Sequence, residues 1–178
     1  MSPTGQTYER LRGEIDPLDV IDCHEHTIGP SEAPKYTEPI ASLTMHYFQS
    51  DLVSASTEAE AALLADANVP TEKKWPTFER LWKRTEHTAY ARVTKWILAN
   101  EYGLREVTLE GLKSIADRLV DFTEPDAYDA YLGKHHIRCR LVNIWIDWKK
   151  FLAGKHKLPP RDRLMIGLPD YHGVRNFE

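Results

Sequence analysis

Leu18-Asp19-Val20-Ile21-Asp22-Cys23-His24-Glu25-His26 runs an apolar segment straight into two histidines one residue apart, and the reading of the whole chain turns on it. On a strand, side chains alternate between faces, so Asp22, His24 and His26 fall on one face and Ile21, Cys23 and Glu25 on the other. Both imidazoles can then reach one ion. On a helix the same spacing separates them by about 200°, so this pair needs a strand where an HExxH pair needs a helix. With eight histidines in 178 residues, an H-x-H triplet is a common accident. Its context gives it weight. Val20-Ile21 reads as a buried strand, Asp22 stands two residues before the first histidine, and Thr27-Ile28-Gly29-Pro30 leaves as a loop. The competing reading is a pair of surface histidines at a strand end.

Working outward, Thr7 to Glu14 reads as a short helix with Tyr8 and Leu11 on one face, ended near Asp16-Pro17 because a residue before proline is pushed out of the helical region. After the strand, Pro39 suits the first position of a helix with Ile40, Leu43, Tyr47 and Leu52 on its apolar side, widened by Phe48 and Val53. Thr57-Glu58-Ala59-Glu60 has the form of a capping box opening an alanine-rich helix that stops before Pro70. Trp75-Pro76 opens the longest helical stretch. There Phe78, Leu81, Trp82, Tyr90, Val93, Trp96 and Ile97 recur at helical steps as far as Gly103, a C-cap, with a break near His87-Thr88. Trp75, Trp82 and Trp96 read as core anchors of this layer. Thr108 caps a further helix, and Glu124-Pro125-Asp126 starts another that Gly133 ends. With Pro30 to Pro39 read as a loop, nearly the whole region between residues 30 and 135 is therefore expected to be helical.

The next strand is expected over Ile137 to Ile146, where Ile137, Cys139, Leu141, Asn143 and Trp145 alternate with Arg138, Arg140, Val142, Ile144 and Ile146. A strand reached through a helical crossover is most simply the parallel neighbour of the first. Connections as long as this one usually cover a site or bind something. Beyond it, Trp148 to Leu152 reads as helical and Gly154 to Pro160 as a basic loop broken by proline.

Composition excludes several classes of function. The chain is 42% hydrophobic and 28% charged, with 23 basic residues against 27 acidic ones and the two signs interspersed. No basic stripe for phosphate contacts results, so nucleic acid is not an expected partner. No apolar run approaches the length needed to cross a bilayer, and the start Met1-Ser2-Pro3-Thr4-Gly5-Gln6 has no signal-peptide core. A cytoplasmic location is the expectation. Cys23 and Cys139 both fall in expected strands and read as buried free thiols.

Val20-Ile21-Asp22-Cys23-His24-Glu25-His26 resembles the D-x-H-x-H signature that ends the first barrel strand of the amidohydrolase superfamily. A wider likeness runs through Tyr47-Phe48-Gln49-Ser50-Asp51-Leu52 and the segment from Trp75 to Gly103. It is to the uronate-isomerase-like and amidohydrolase-2-like branches, whose first strand is followed by a long helical insertion. The resemblance implies an α/β fold, the N-terminal part of a TIM (β/α)8 barrel, in one domain over 1–178 with an insertion over approximately 30–135. It makes His24 and His26 the first two metal ligands and Asp22 a shaping partner rather than a ligand. The first helix would then cover the bottom of the barrel. A complete barrel takes at least about 200 residues, so this chain would hold an incomplete one, the N-terminal portion of a longer enzyme and inactive alone.

The activity so implied is that of a metal-dependent hydrolase. A divalent ion, zinc foremost, activates water toward an amide, ester or lactone carbonyl of a small molecule. Decarboxylation and sugar-acid isomerisation are variants within the same fold, and the superfamily takes its remaining ligands from later strands. Arg84 and Arg92, flanking His87 and Tyr90, suit a substrate carboxylate if the helices lie over a metal site. The competing reading is two solvated arginines on a helix face. An alternative from another class is a non-catalytic helical interaction domain that keeps a relic H-x-H.

Overall fold

The computed structural model describes residues 3–24, 29, 30, 33, 35, 37–44, 46–142, 151–155 and 157–165. In chain order the elements are α1 (Pro3–Ile15), β1 (Val20–Asp22), α2 (Pro39–Leu43), α3 (His46–Ala55), α4 (Glu58–Ala65), α5 (Thr71–Thr85), α6 (Ala89–Tyr102) and α7 (Leu109–Ile115). A 3-10 turn (Ala116–Arg118), α8 (Pro125–Lys134), β2 (Ile137–Val142) and β3 (Asp162–Leu164) follow. The fold is α/β, mostly helical, with one small parallel sheet. Read from sequence as one domain with an insertion, the chain divides into two compact units. One is Pro34–Asp121, and the other combines Met1–Ala33 with Phe122–Glu178.

In the unit Pro34–Asp121 the caps act where the residue types place them. Thr57 accepts the Glu60 N–H, and the Glu60 carboxylate accepts the Thr57 N–H at 2.9 Å, closing the capping box of α4. Thr88 and Thr108 accept the Ala91 and Gly111 N–H groups at the starts of α6 and α7. Gly103 ends α6 at φ 76°, a left-handed conformation that suits a residue without Cβ. Each cap satisfies a backbone donor or acceptor left over at a helix end, at about 1 kcal/mol for a side-chain N-cap.

Two helix boundaries in this unit differ from the sequence expectation. The helix expected from Pro39 onward is divided: α2 ends at Leu43, where the C-cap Thr44 leaves helical geometry (φ −86°, ψ 20°) and donates its hydroxyl to the Ala41 carbonyl. The long helix starts at Thr71, not at Trp75-Pro76. Pro70 is its N-cap, which leaves Pro76 inside α5 without an N–H for the Glu72 carbonyl.

The core of this unit gathers Ile40, Phe48, Leu52, Leu64, Phe78, Leu81, Trp82, Ala91, Leu98, Leu112 and Ile115. Phe48 meets Trp82 edge-on at 5.5 Å, and Phe78 stacks on the same indole at 5.8 Å. Burying each large side chain contributes about 1.5–3 kcal/mol, so this cluster is the main source of the unit's stability. The face of α6 corrects the reading by periodicity. Ala91, Thr94 and Leu98 are the buried positions, while Tyr90, Val93 and Trp96 are exposed. Of the three tryptophans read as anchors, Trp82 is buried, Trp75 packs against the core from its edge, and Trp96 faces out.

A buried polar cluster around Glu38 lies within this unit, and its members are matched to one another. Glu38, the N-cap of α2, accepts the Ile40 and Ala41 N–H groups at 3.1 and 2.7 Å and the Thr71 hydroxyl at 2.6 Å. Lys74 donates to the same carboxylate at 2.5 Å and to the Leu64 carbonyl at 3.0 Å. A charge removed from water is tolerated only with such partners.

In the other unit β1, β2 and β3 lie side by side in chain order, all parallel. β2 is the central strand, and its start is set by α8. The Arg161 guanidinium holds Asp129 of α8 through Nε at 2.8 Å and Nη2 at 3.2 Å, and donates Nη1 to the Ile137 carbonyl at 2.9 Å. His136, between α8 and β2, takes φ 56°, and its carbonyl accepts the Val20 N–H at 2.8 Å. The third strand was not read from sequence. The expected extension of β2 to Ile146, and most of the helix expected from Trp148, lie outside the described residues. On α1 the apolar side, Tyr8, Leu11 and Ile15 included, is exposed.

Candidate metal centre

β1 is short because Asp22 ends it. The Asp22 carboxylate accepts the His24 N–H at 3.2 Å, turning the backbone away from the strand direction two residues on. Asp22 is half-buried, and Cys23 and His24 are exposed. His24 therefore lies beyond the end of β1 rather than on the strand face that the alternation gave it. His26, the second expected ligand, lies outside the described residues, as does Glu25.

Strand register adds a feature that local sequence did not show. Asp22 of β1 pairs with Arg140 of β2, and Arg140 with Asp162 of β3, so the three side chains form one row on one face of the sheet. Arg140 is only 2% exposed and Asp162 5%. Arg140 Nε lies 3.5 Å from Asp162 Oδ1, and the guanidinium sits 5.3 Å from the Tyr128 ring centroid of α8. A guanidinium cannot shed its charge, so its burial requires the neighbouring carboxylate. Alternation along the strand puts Arg138 and Arg140 on one face, but only Arg138 is exposed, paired with Asp19 at 3.3 Å, while Arg140 is buried. The signal for Arg140 was an aspartate on a strand 22 positions later.

The arginines considered for a substrate carboxylate lie in the helical unit, Arg84 in the last turn of α5 and Arg92 in the first turn of α6, both exposed. Arg84 donates to the Ala55 carbonyl at 3.2 Å, at the C-terminal end of α3, where a cation complements the helix dipole. That is a structural role. The row in the sheet and these two arginines belong to different units.

As a metal centre, the described part offers the exposed His24 imidazole and the Asp22 carboxylate at its base. Catalytic zinc ordinarily takes three protein ligands and structural zinc four. Among the described residues no group of three or more His, Cys, Asp or Glu side chains is placed to hold an ion. No helix among the described residues is long and apolar enough to cross a membrane. Comparison with protein-family models, curated proteins and solved structures found no match.

Proposed function

We propose that the chain is the N-terminal portion of a metal-dependent hydrolase of the amidohydrolase type, with His24 and His26 as two ligands of a divalent ion and Asp22 as their brace. The observation that carries the reading is the Asp22–His24 hydrogen bond at the C-terminal end of the first strand of a parallel sheet. Sites in parallel α/β folds gather at that end of the strands. When bound, a zinc ion there would supply hydroxide near neutral pH and polarise a carbonyl of the substrate. Asp22 would fix the turn that presents the first imidazole.

The incomplete barrel belongs to the same proposal. Strand order β1-β2-β3 with every strand parallel is how a (β/α) barrel begins, and parallel sheets are normally covered on both faces. Ile21 of β1, at the edge of the sheet, is 63% exposed, and Val20 beside it is 44% exposed. Further strands beyond β1 and β3 would cover them and bring the remaining ligands. Decarboxylation and uronate-type isomerisation stay open within this fold.

A second reading, a non-catalytic helical interaction domain, is favoured by the exposed Tyr90, Val93 and Trp96 on α6. Metal content separates the two. Elemental analysis after dialysis is made on this chain, on any longer product of the same reading frame, and on each with His24→Ala and His26→Ala. The hydrolase reading expects weak zinc retention by the 178-residue chain, tight retention by a longer product, and loss of both in the double variant. Retention unaffected by the double substitution in the longer product overturns the ligand assignment.

A further inference from the structure

We draw no further inference here: the strongest candidate, the exposed aromatic surface where Tyr47 of α3 stacks on Tyr90 of α6 at 5.0 Å beside Val93 and Trp96, is an unpartnered apolar face, and nothing in the structure shows what covers it.

Discussion

Lys74 Nζ lies 2.5 Å from Glu38 Oε2, with both side chains buried between α2 and α5. Removing one member of such a pair leaves the other charge without its match, at a cost of about 3–5 kcal/mol. Lys74→Met should therefore lower the urea midpoint strongly, and Glu38→Gln should do so as well. The double variant should cost less than the sum, with a coupling of at least about 1 kcal/mol, because the two residues share one interaction. Strict additivity in the cycle would show that the pair contributes nothing as a pair.

Glu60 gives a pH dependence with a definite sign. Its carboxyl is held below the ordinary 4.5, first by the Thr57 N–H, then by the Thr57 hydroxyl, with Arg80 adding a smaller effect. A depressed folded-state pKa adds stability that is fully present above the unfolded value and is lost as pH falls through the folded value. The stability gap between the wild type and Glu60→Gln should thus be widest near neutrality and close on acidification below about 4.5. A gap that stays constant from pH 7 to pH 3 in denaturant titrations would remove Glu60 from the cap. Thr57→Ala should cost about 1 kcal/mol at neutral pH.

Trp82 and Trp96 are chemically alike and should behave differently. Trp82→Ala removes the indole that Phe48 and Phe78 pack on, and should cost about 3–5 kcal/mol. Trp96→Gln alters an exposed helix position, so its effect should stay within about 0.5 kcal/mol. Equal losses in thermal denaturation would place Trp96 in the core after all.

These two tryptophans also show where sequence reading succeeds. Caps are local, and Thr57, Thr108, Gly103 and Pro125 could be read because a hydroxyl, a missing Cβ or a fixed φ acts within a few residues of itself. The choice of buried face is not local. α6 turns Ala91, Thr94 and Leu98 inward, where small and slender side chains let helices approach, and leaves its aromatics outside. Periodicity reports a stripe, but not which stripe a neighbour will cover. Arg140 was misplaced for the same reason, since its burial depends on Asp162 in a strand too short to announce itself. At the candidate centre, the spacing of Asp22 and His24 could be read along the chain. The hydrogen bond that turns one toward the other came from the structure.

His136 is the one described residue other than glycine with positive φ. A left-handed conformation costs an L-residue roughly 1–2 kcal/mol, least for Asn, Asp and His and most for β-branched side chains. His136→Val should destabilise by about that amount. His136→Gly should be neutral or stabilising by up to about 1 kcal/mol, as relief of the strain is set against the greater freedom of the unfolded chain. A loss of stability in the glycine variant, seen as a lower Tm, would assign the imidazole a contact more important than its backbone angle.

At the proposed metal centre, Asp22→Asn keeps an acceptor for the His24 N–H, whereas Asp22→Ala removes it. If Asp22 only braces the turn, zinc retention should survive the first change and fall roughly 10–100-fold in affinity with the second, as for other outer partners of metal ligands. Equal loss in both variants would make Asp22 a ligand. Competition titration with a zinc indicator on the longest available product distinguishes these outcomes.

The pairing of Val20 with Ile137 has a consequence for synthesis. The first strand leaves the ribosome long before its partner exists. With some 5–20 residues added each second, β1 waits on the order of ten seconds before β2 can emerge. During that interval Leu18, Val20 and Ile21 form an apolar, strand-prone segment with no sheet to join, while the helices of residues 34–121 are already being made. Leu18 to Ile21 therefore stays without its strand partner throughout the synthesis of the helices between β1 and β2.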